Sequence, residues 1–253
     1  MPSPILVTGG TGTLGRLVVP ALRHAGREVR VLSRSRRGRV DGIEYVAGDL
    51  LEDQGIEAAV DGTETVVHLA GGPRGDDVAT ANLVRAASRA GVGHLVYISV
   101  IGADRVPLGY FRAKLGGEQA VADSGLPWTT LRAAQFHDLV LRVVRQLARL
   151  PVVPIPGGVR LQPVDERDVA ARLVDLALGE PVGRVPDLAG PQVHGMRELL
   201  DGYLRAVGRR RLTPPVRIPG RLGRIYRNGE NLALEGADLG DRTWEAYLAD
   251  RLP

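Results

Sequence analysis

The chain has 253 residues, 44% of them hydrophobic and 25% charged, which predicts one large α/β domain or a core domain with a small appendage and excludes a disordered protein. It contains no cysteine, which excludes disulfides and thiolate chemistry, and its five histidines show no metal-ligand spacing, so we assign no metal. The net charge of +4 is spread along the length and aromatic residues make up only 4%, so we expect no nucleic-acid partner.

The first residues lead directly into an apolar strand without a basic leader segment. No apolar run approaches the roughly 18 residues of a membrane span. We therefore expect a cytoplasmic protein that does not bind membranes. A small-molecule substrate is the expected partner, and the chain is expected to be a monomer or a homodimer.

Strand and helix patterns alternate along the first half of the chain. Strands are predicted over 4–8, 28–32, 43–47, 65–69, 94–99 and 128–132, and helices over 13–25, 53–60, 77–90, 112–123 and 138–149. This alternation predicts a doubly wound parallel sheet of Rossmann type, with helices on both faces.

The character of the chain changes after Leu150, where prolines and glycines punctuate a loop. Strands are predicted over 160–163, 184–188 and 215–218, and helices over 166–178, 196–207 and 242–251. No pattern is readable between 219 and 240. We therefore predict a Rossmann core over 1–150 and a smaller C-terminal α+β lobe over 151–253, interleaved with the sheet edge and forming the substrate pocket.

A glycine-rich turn separates the first strand from the first helix, with glycines in the spacing G-x-x-G-x-x-G. Such glycines make a tight turn, admit a pyrophosphate close to the backbone and allow the helix to pack on the strand. The turn therefore predicts an NAD(P)-binding core. The predicted cofactor contacts here are Gly9, Thr11, Gly12, Thr13, Leu14 and Gly15.

The loop after the second strand indicates which dinucleotide is bound. An acidic residue there would favour NAD, but this chain has Ser33-Arg34-Ser35-Arg36-Arg37. Arginine grips a phosphate through two hydrogen bonds, so we predict NADP(H) over NAD(H), with Ser33, Arg34 and Arg37 as contacts. The alternative is a solvated basic loop.

Residues after the third and fourth strands are predicted to continue the cofactor site. Asp49 and Leu50 are placed to reach the adenine. Leu69, Ala70 and Gly71 are small or apolar residues where the cofactor must pass close to the backbone.

Lys114 is the only lysine among 33 basic residues, and it follows Tyr110 by four positions. On a helix this spacing places both side chains on one face. A nearby cation stabilises a phenolate, so we predict that Lys114 lowers the tyrosine pKa towards neutrality and makes Tyr110 a general acid or base.

The glycine turn, the strand ending Tyr97-Ile98-Ser99 and the Tyr110-x-x-x-Lys114 motif together resemble the short-chain dehydrogenase/reductase superfamily. The Thr-Gly-Gly-Thr-Gly start and the basic loop resemble its atypical, NmrA-like branch over roughly 1–180. The resemblance implies that Lys114 also binds the nicotinamide ribose and that a serine orients the substrate. The usual serine position is Val100 here, so either Ser99 takes that role or orientation comes from elsewhere.

The segment after the sixth strand is predicted to lie at the ligand crevice. Ala134 is predicted to contact the cofactor, and Gln135, Phe136 and His137 to contact the substrate, with helix capping or packing as the alternative for His137. His68, within the fourth strand, is interpreted as a packed core histidine.

These features favour an NADPH-dependent oxidoreductase that transfers a hydride to a small, hydrophobic carbonyl, enone or quinone-like compound. One alternative is an NmrA-like regulator or redox sensor that binds NADP without turnover. Another is an isomerase, epimerase or cyclase on the same scaffold.

Overall fold

The computed structural model describes residues 3–35, 38–72, 74–233 and 235–252. The strands are β1 Ile5–Thr8, β2 Val29–Ser33, β3 Gly38–Val40, β4 Ile43–Ala47, β5 Thr65–His68, β6 His94–Val100, β7 Trp128–Ala133, β8 Ile155–Pro156, β9 Arg160–Leu161, β10 Gly183–Arg184, β11 Leu188–Ala189, β12 His194–Gly195, β13 Pro215–Val216 and β14 Asp238–Leu239. The helices are α1 Gly15–His24, α2 Ile56–Val60, α3 Asp76–Ala90, α4 Gly109–Ala122, α5 His137–Leu147, α6 Glu166–Leu178, α7 Met196–Ala206, α8 Gly220–Asn228 and α9 Trp244–Arg251.

The chain folds as two compact units that are each discontinuous in sequence. The first comprises residues up to Ser99, Leu108–Arg132 and Ala170–Val185, and the second comprises Val100–Pro107, Ala133–Val169 and the chain from Pro186 onward. The sequence prediction drew one boundary after residue 150. The chain instead leaves and re-enters the first unit, because β10 returns to pair with β7.

The first unit is built on a mainly parallel sheet with the strand order β3-β4-β2-β1-β5-β6-β7. Strand β3 runs antiparallel to its neighbour β4. The side chains of Ile5, Leu6 and Val7 are fully buried, as expected where helices cover both faces of a parallel sheet. The predicted Rossmann-type sheet is therefore confirmed.

Glycines set both ends of α3, the helix that follows β5. Gly75 precedes it with φ 74° and Gly91 ends it with φ 68°, conformations that favour glycine. Between them Leu83 and Ala87 are fully buried in the core of the first unit. Asp76, the first residue of α3, is thereby held in the interior.

The second unit has its own core, formed largely by α5, α7 and α9. Val144, Leu199 and Trp244 are buried there at 0%, 0% and 1% exposure. Its strands are short, with β11 parallel to β14, β9 antiparallel to β12, and β8 parallel to β13.

Several elements differ from the sequence prediction, and the two-residue strands β8, β12 and β14 were not predicted. The predicted strand 184–188 is two short strands, β10 and β11, with different partners. Strand β3 was missed because all three of its residues are exposed and carry no apolar pattern. Helix α8 was missed because it is rich in arginine and glycine, and only Gly223 and Ile225 are buried.

No helix within the four described ranges is long and apolar enough to cross a membrane. In the same ranges, no three histidine or acidic side chains are grouped so that they could hold a metal ion.

An ion-pair cluster fixes the start of α6 in the second unit. The Arg167 guanidinium donates two hydrogen bonds to the buried Asp165 carboxylate, at 2.9 and 2.7 Å, and a third to Asp250 at 2.9 Å. Burial acts to raise the pKa of Asp165, but the hydrogen bonds from Arg167, with a contribution from His137, hold it well below its ordinary value.

We expect Arg167→Gln to lower the free energy of unfolding by about 2 kcal/mol at pH 7, less than for a fully buried pair because Arg167 is partly exposed. The folded-state pKa of Asp165 is depressed, so this stabilisation is present above about pH 4 and is lost as the pH falls further. The difference from wild type should therefore narrow below about pH 4. Urea unfolding followed by circular dichroism measures it.

Arg142→Gln is the matched control, because Arg142 forms an exposed i,i+4 pair with Asp138 and should change stability by less than about 0.5 kcal/mol. If Arg167→Gln and Arg142→Gln lowered the free energy of unfolding equally, the stabilising role of the Arg167–Asp165 pair would be contradicted.

Candidate cofactor and active site

A cleft of about 620 Å³ lies in the first unit at the carboxyl ends of β1, β2, β4 and β5. In doubly wound sheets this edge is where ligands bind. The predicted cofactor residues that line the cleft are Gly9, Thr11, Gly12, Ser33, Arg34, Asp49, Leu50, Leu69, Ala70 and Gly71.

The glycine turn is closely packed in a way that only glycine permits. Gly9 has φ 67°, and a Cβ there would lie 2.6 Å from the Ala70 nitrogen. A Cβ on Gly15 would collide with the Gly9 carbonyl oxygen. The Gly12 N–H donates to that oxygen at 2.9 Å, which closes the turn directly before α1. The backbone of the glycine turn therefore lines the cleft directly before the N-terminus of α1, an arrangement suited to a pyrophosphate.

Five of the predicted cofactor residues that the structure describes do not line this cleft: Thr13, Leu14, Gly15, Lys114 and Ala134. Leu14 is the buried N-cap of α1, and Thr13 is exposed. Gly15 is buried against the backbone of Gly9 and Gly10. Ala134 belongs to the second unit, where its N–H donates to the Leu188 carbonyl at 2.9 Å.

The end of the cleft after β2 carries the basic loop. Ser33 and Arg34 line it, and the Ser35 N–H donates to the Ser33 hydroxyl oxygen at 3.3 Å. Arg37, the second predicted phosphate contact, lies outside the described residues. Asp49 uses one carboxylate oxygen to accept the Leu51 N–H at 2.8 Å, which shapes the loop after β4.

Lys114 is buried, and its charge is matched by an acid that the sequence analysis missed. Its side chain extends from α4 to the Asp76 carboxylate, with Nζ 2.8 Å from Oδ2. Nζ also donates to the Ile98 carbonyl on β6 at 3.1 Å. Lys114 and Asp76 are 5% and 2% exposed, so this is an interior ion pair at the edge of the cleft.

A buried polar chain links the ion pair to the start of the glycine turn. The Tyr97 hydroxyl donates to Asp76 Oδ2 at 3.4 Å, and the Tyr97 ring stacks on His68 with centroids 5.3 Å apart. His68 bonds the hydroxyls of Thr8 and Thr80 at 2.6 and 3.0 Å. His68 is fully buried, so the predicted packed core histidine is confirmed. Burial, and then the Lys114 charge, lower the pKa of His68 to about 3, which keeps the imidazole neutral.

Tyr110 lies on α4 with Lys114, as predicted, but its acidity is the opposite of the prediction. Burial, and then the negative charge of Asp76, raise the pKa of Tyr110 to about 12. The prediction that the pKa of Tyr110 is lowered is therefore wrong, because burial disfavours the phenolate and Asp76 places a negative charge near it. Tyr110 is 39% exposed and remains a neutral phenol at physiological pH.

Ser99 lies near the end of β6 with its hydroxyl buried, and that oxygen has no hydrogen-bond partner among the described residues. Val100 beside it is buried as well. An unpartnered buried hydroxyl is costly in free energy. The role of Ser99 in orienting a substrate stays a prediction.

The predicted substrate contacts lie in the second unit. The Gln135 carbonyl accepts the Val164 N–H at 3.0 Å, and Phe136 is the N-cap of α5. His137 is 1% exposed, and its ring lies 5.6 Å from Trp244 and 5.0 Å from Tyr247. The packing alternative for His137 therefore matches its surroundings, and the substrate contacts stay predictions.

Asp76 is the main residue that the sequence analysis missed. The signal available was a lone lysine in need of a counter-charge and an acidic pair, Asp76-Asp77, at the start of a predicted helix. Sequence spacing did not indicate that Asp76 and Lys114, 38 positions apart, are in contact.

Comparison with known proteins supports the interpretation of this cleft as a dinucleotide site. Residues 9–177 match a family described as NAD(P)H-binding. The chain is 34% identical to (4-alkanoyl-5-oxo-2,5-dihydrofuran-3-yl)methyl phosphate reductase of Streptomyces griseus over 212 residues, 81% of this chain and 74% of that protein. It is 31% identical to the NAD(P)H azoreductase of Xenophilus azovorans over 215 residues, again 81% and 74%.

Among solved structures, the NADPH complex of Escherichia coli quinone oxidoreductase QOR2 superimposes with a TM-score of 0.78, covering 97% of this chain and 99% of that chain. The sequence identity is 20%, so this likeness concerns the fold.

Two glycine substitutions are expected to separate folding from binding. Gly15→Ala should lower the free energy of unfolding by about 3 kcal/mol, because its Cβ meets backbone that cannot move aside. In Gly12→Ala the nearest atom is the Gly9 oxygen at 3.2 Å, so we expect a loss below about 1 kcal/mol. Because Gly12 lines the cleft, the same substitution should weaken dinucleotide binding at least about 10-fold.

Urea unfolding and cofactor titration measure the two effects. Unchanged dinucleotide affinity in a stable Gly12→Ala protein would contradict the placement of the pyrophosphate.

Proposed function

The chain belongs to the NAD(P)H-binding family, within the atypical short-chain dehydrogenases/reductases, and on this basis we propose that it uses NADPH to reduce a small, hydrophobic carbonyl, enone or quinone-like compound. The observation that carries the proposal is the cleft that joins the basic loop, the glycine turn and the residues above the Lys114–Asp76 pair. The basic loop after β2 offers a cation for a 2′-phosphate, the glycine turn after β1 offers backbone for a pyrophosphate, and the segment after β5 lies on the other side of β1 for the rest of the dinucleotide.

The names of the relatives support reduction of a conjugated acceptor. The dihydrofuranone in the name of the Streptomyces griseus relative has a carbonyl group conjugated with a ring double bond. The Xenophilus azovorans relative is named for an azo group, another conjugated acceptor. We infer that the substrate of this chain shares this property.

The chain's own residues supply the proton and the binding groups. Bound NADPH supplies the hydride. A reduced carbonyl develops negative charge on its oxygen, and Tyr110 is the proton donor that we assign to that oxygen, since its high pKa keeps it protonated. Ser99 is the remaining candidate for orienting the substrate.

A second function, NADP binding without turnover, is favoured by one observation. Val100 occupies the position of the usual substrate-orienting serine and is buried. A regulator would bind NADPH with normal affinity and consume none with any carbonyl, enone or quinone. NADPH consumption in a substrate screen therefore separates the two functions, and product formation without net consumption would indicate an isomerase or cyclase.

Arg34 is expected to set the preference for NADPH. Arg34→Ala should weaken NADPH binding by about 10-fold and leave NADH binding unchanged, because only NADPH carries the 2′-phosphate. Arg39→Ala is the control, since Arg39 lies on exposed β3 and does not line the cleft. Calorimetric titration measures both cofactors. Equal wild-type affinities for NADPH and NADH, or an unchanged preference in Arg34→Ala, would contradict the proposal.

Tyr110→Phe should lower kcat for NADPH oxidation by about 100-fold or more while the affinity for NADPH stays unchanged. The acid form of Tyr110 is the active one, and with a pKa of about 12 it is fully present between pH 6 and 9. Ionisation of Tyr110 should therefore not lower the wild-type rate of NADPH oxidation near neutral pH.

Stopped-flow NADPH oxidation with a quinone measures the rate, and Tyr226→Phe, in the second unit, is the matched control. A tyrosine-dependent fall in rate near pH 7, or full turnover by Tyr110→Phe, would refute the role.

A further inference from the structure

The two oxygens of the buried Asp76 carboxylate have different surroundings. Oδ2 receives the Lys114 ammonium at 2.8 Å and the Tyr97 hydroxyl at 3.4 Å. Oδ1 is buried and has no hydrogen-bond partner among the described residues. A charged acceptor that the fold leaves unpartnered calls for a donor from a ligand.

The Lys114 ammonium also has unused capacity. It carries three N–H donors, of which one is directed to Asp76 and one to the Ile98 carbonyl. Nζ also lies 5.0 Å from the Tyr97 ring centroid, but its third N–H has no hydrogen-bond acceptor among the described residues, so it can donate to a ligand atom next to Asp76 Oδ1.

Asp76 Oδ1 and Lys114 Nζ both border the small space that a side chain at Gly71 would occupy. A Cβ on Gly71 would lie 3.1 Å from Asp76 Oδ1 and 3.2 Å from Lys114 Nζ. Gly71 and Asp76 both line the cleft. Because Gly71 has no side chain, a ligand can reach both the acceptor Asp76 Oδ1 and the donor Lys114 Nζ. A ligand with two adjacent hydroxyl groups could donate to the first and accept from the second.

We propose that Asp76 is a cofactor-binding residue: its Oδ1 accepts a hydrogen bond from a hydroxyl of the ribose that carries the nicotinamide, and the same carboxylate positions Lys114 for the neighbouring hydroxyl. Gly71 follows β5 and Arg34 follows β2, on opposite sides of β1 in the strand order. A dinucleotide with its 2′-phosphate at Arg34 and its pyrophosphate on the glycine turn places its second ribose beside Gly71. The inference rests on the proposed use of NADPH.

The test compares NADPH with 2′,5′-ADP, a fragment that keeps the adenine and the 2′-phosphate but lacks the second ribose. Asp76→Asn has the same shape, but its single accepting oxygen cannot serve both Lys114 and a ligand. We expect it to weaken NADPH binding about 10-fold in calorimetric titration and to leave 2′,5′-ADP affinity unchanged. Asp77→Asn, a substitution of the exposed neighbouring acid, should change neither.

A second variant keeps both buried charges and guards against a folding defect in the first. Gly71→Ala places a methyl group over the pair and should weaken NADPH but not 2′,5′-ADP. Gly93→Ala is its control, because Gly93 does not line the cleft and the nearest atom to its Cβ is the Glu64 Cγ at 3.5 Å.

Equal losses for NADPH and 2′,5′-ADP in both variants would mean a structural role alone and would overturn the inference. So would wild-type NADPH affinity in both variants, which leaves the proposed function intact. Failure of the wild-type protein to bind NADPH would overturn the proposed function together with the inference.

Discussion

The arrangement of the first unit depends on the burial of the Lys114 charge. Removing an ammonium ion from water costs several kcal/mol, and only a close partner of opposite charge offsets that cost in a protein interior. Asp76 supplies the partner at 2.8 Å and the Ile98 carbonyl supplies a further acceptor. Because these three residues lie on α4, α3 and β6, the ion pair fixes two helices against a central strand. An arginine in place of Lys114 would bring a larger, planar head that this interior does not match.

The ion pair also determines the state of its neighbours up to the glycine turn. His68 stays neutral beside the buried ammonium, and a neutral imidazole can share a hydrogen with the Thr8 hydroxyl. The Thr8 hydroxyl oxygen in turn accepts the Ala70 N–H at 3.2 Å, in the same backbone that leaves no room for a Cβ on Gly9. One polar chain therefore runs from the ion pair to the start of the turn. Apart from Asp76 Oδ1, the polar side-chain atoms named in this chain have hydrogen-bond partners, and partnered polar chains rigidify a core.

The sequence predicted the features that local patterns encode and missed those that depend on contacts between distant parts of the chain. The buried strands of the first unit carry apolar runs, a pattern that residues such as Ile5 and Val7 show locally, and they lie where the sequence placed them, whereas the exposed β3 was missed. The glycine turn is equally local. The partner of Lys114, by contrast, is set by the packing of α3 on α4, and no pattern within either helix encodes it. Helix α8 was missed for a related reason, since its formation depends on tertiary contacts of a few residues such as Ile225 rather than on an apolar stripe.

Tyr110 and Lys114 share a helix face, but their chemistry follows from neighbours that sequence spacing does not contain. The pKa of a phenol responds to its hydration and to nearby charges, and here burial, and then the Asp76 carboxylate, raise the pKa of Tyr110 to about 12. The phenol therefore stays protonated near neutral pH. A base is needed to oxidise an alcohol, whereas an acid is needed to reduce a carbonyl. A protonated Tyr110 therefore fits the acid role that the proposed reduction requires.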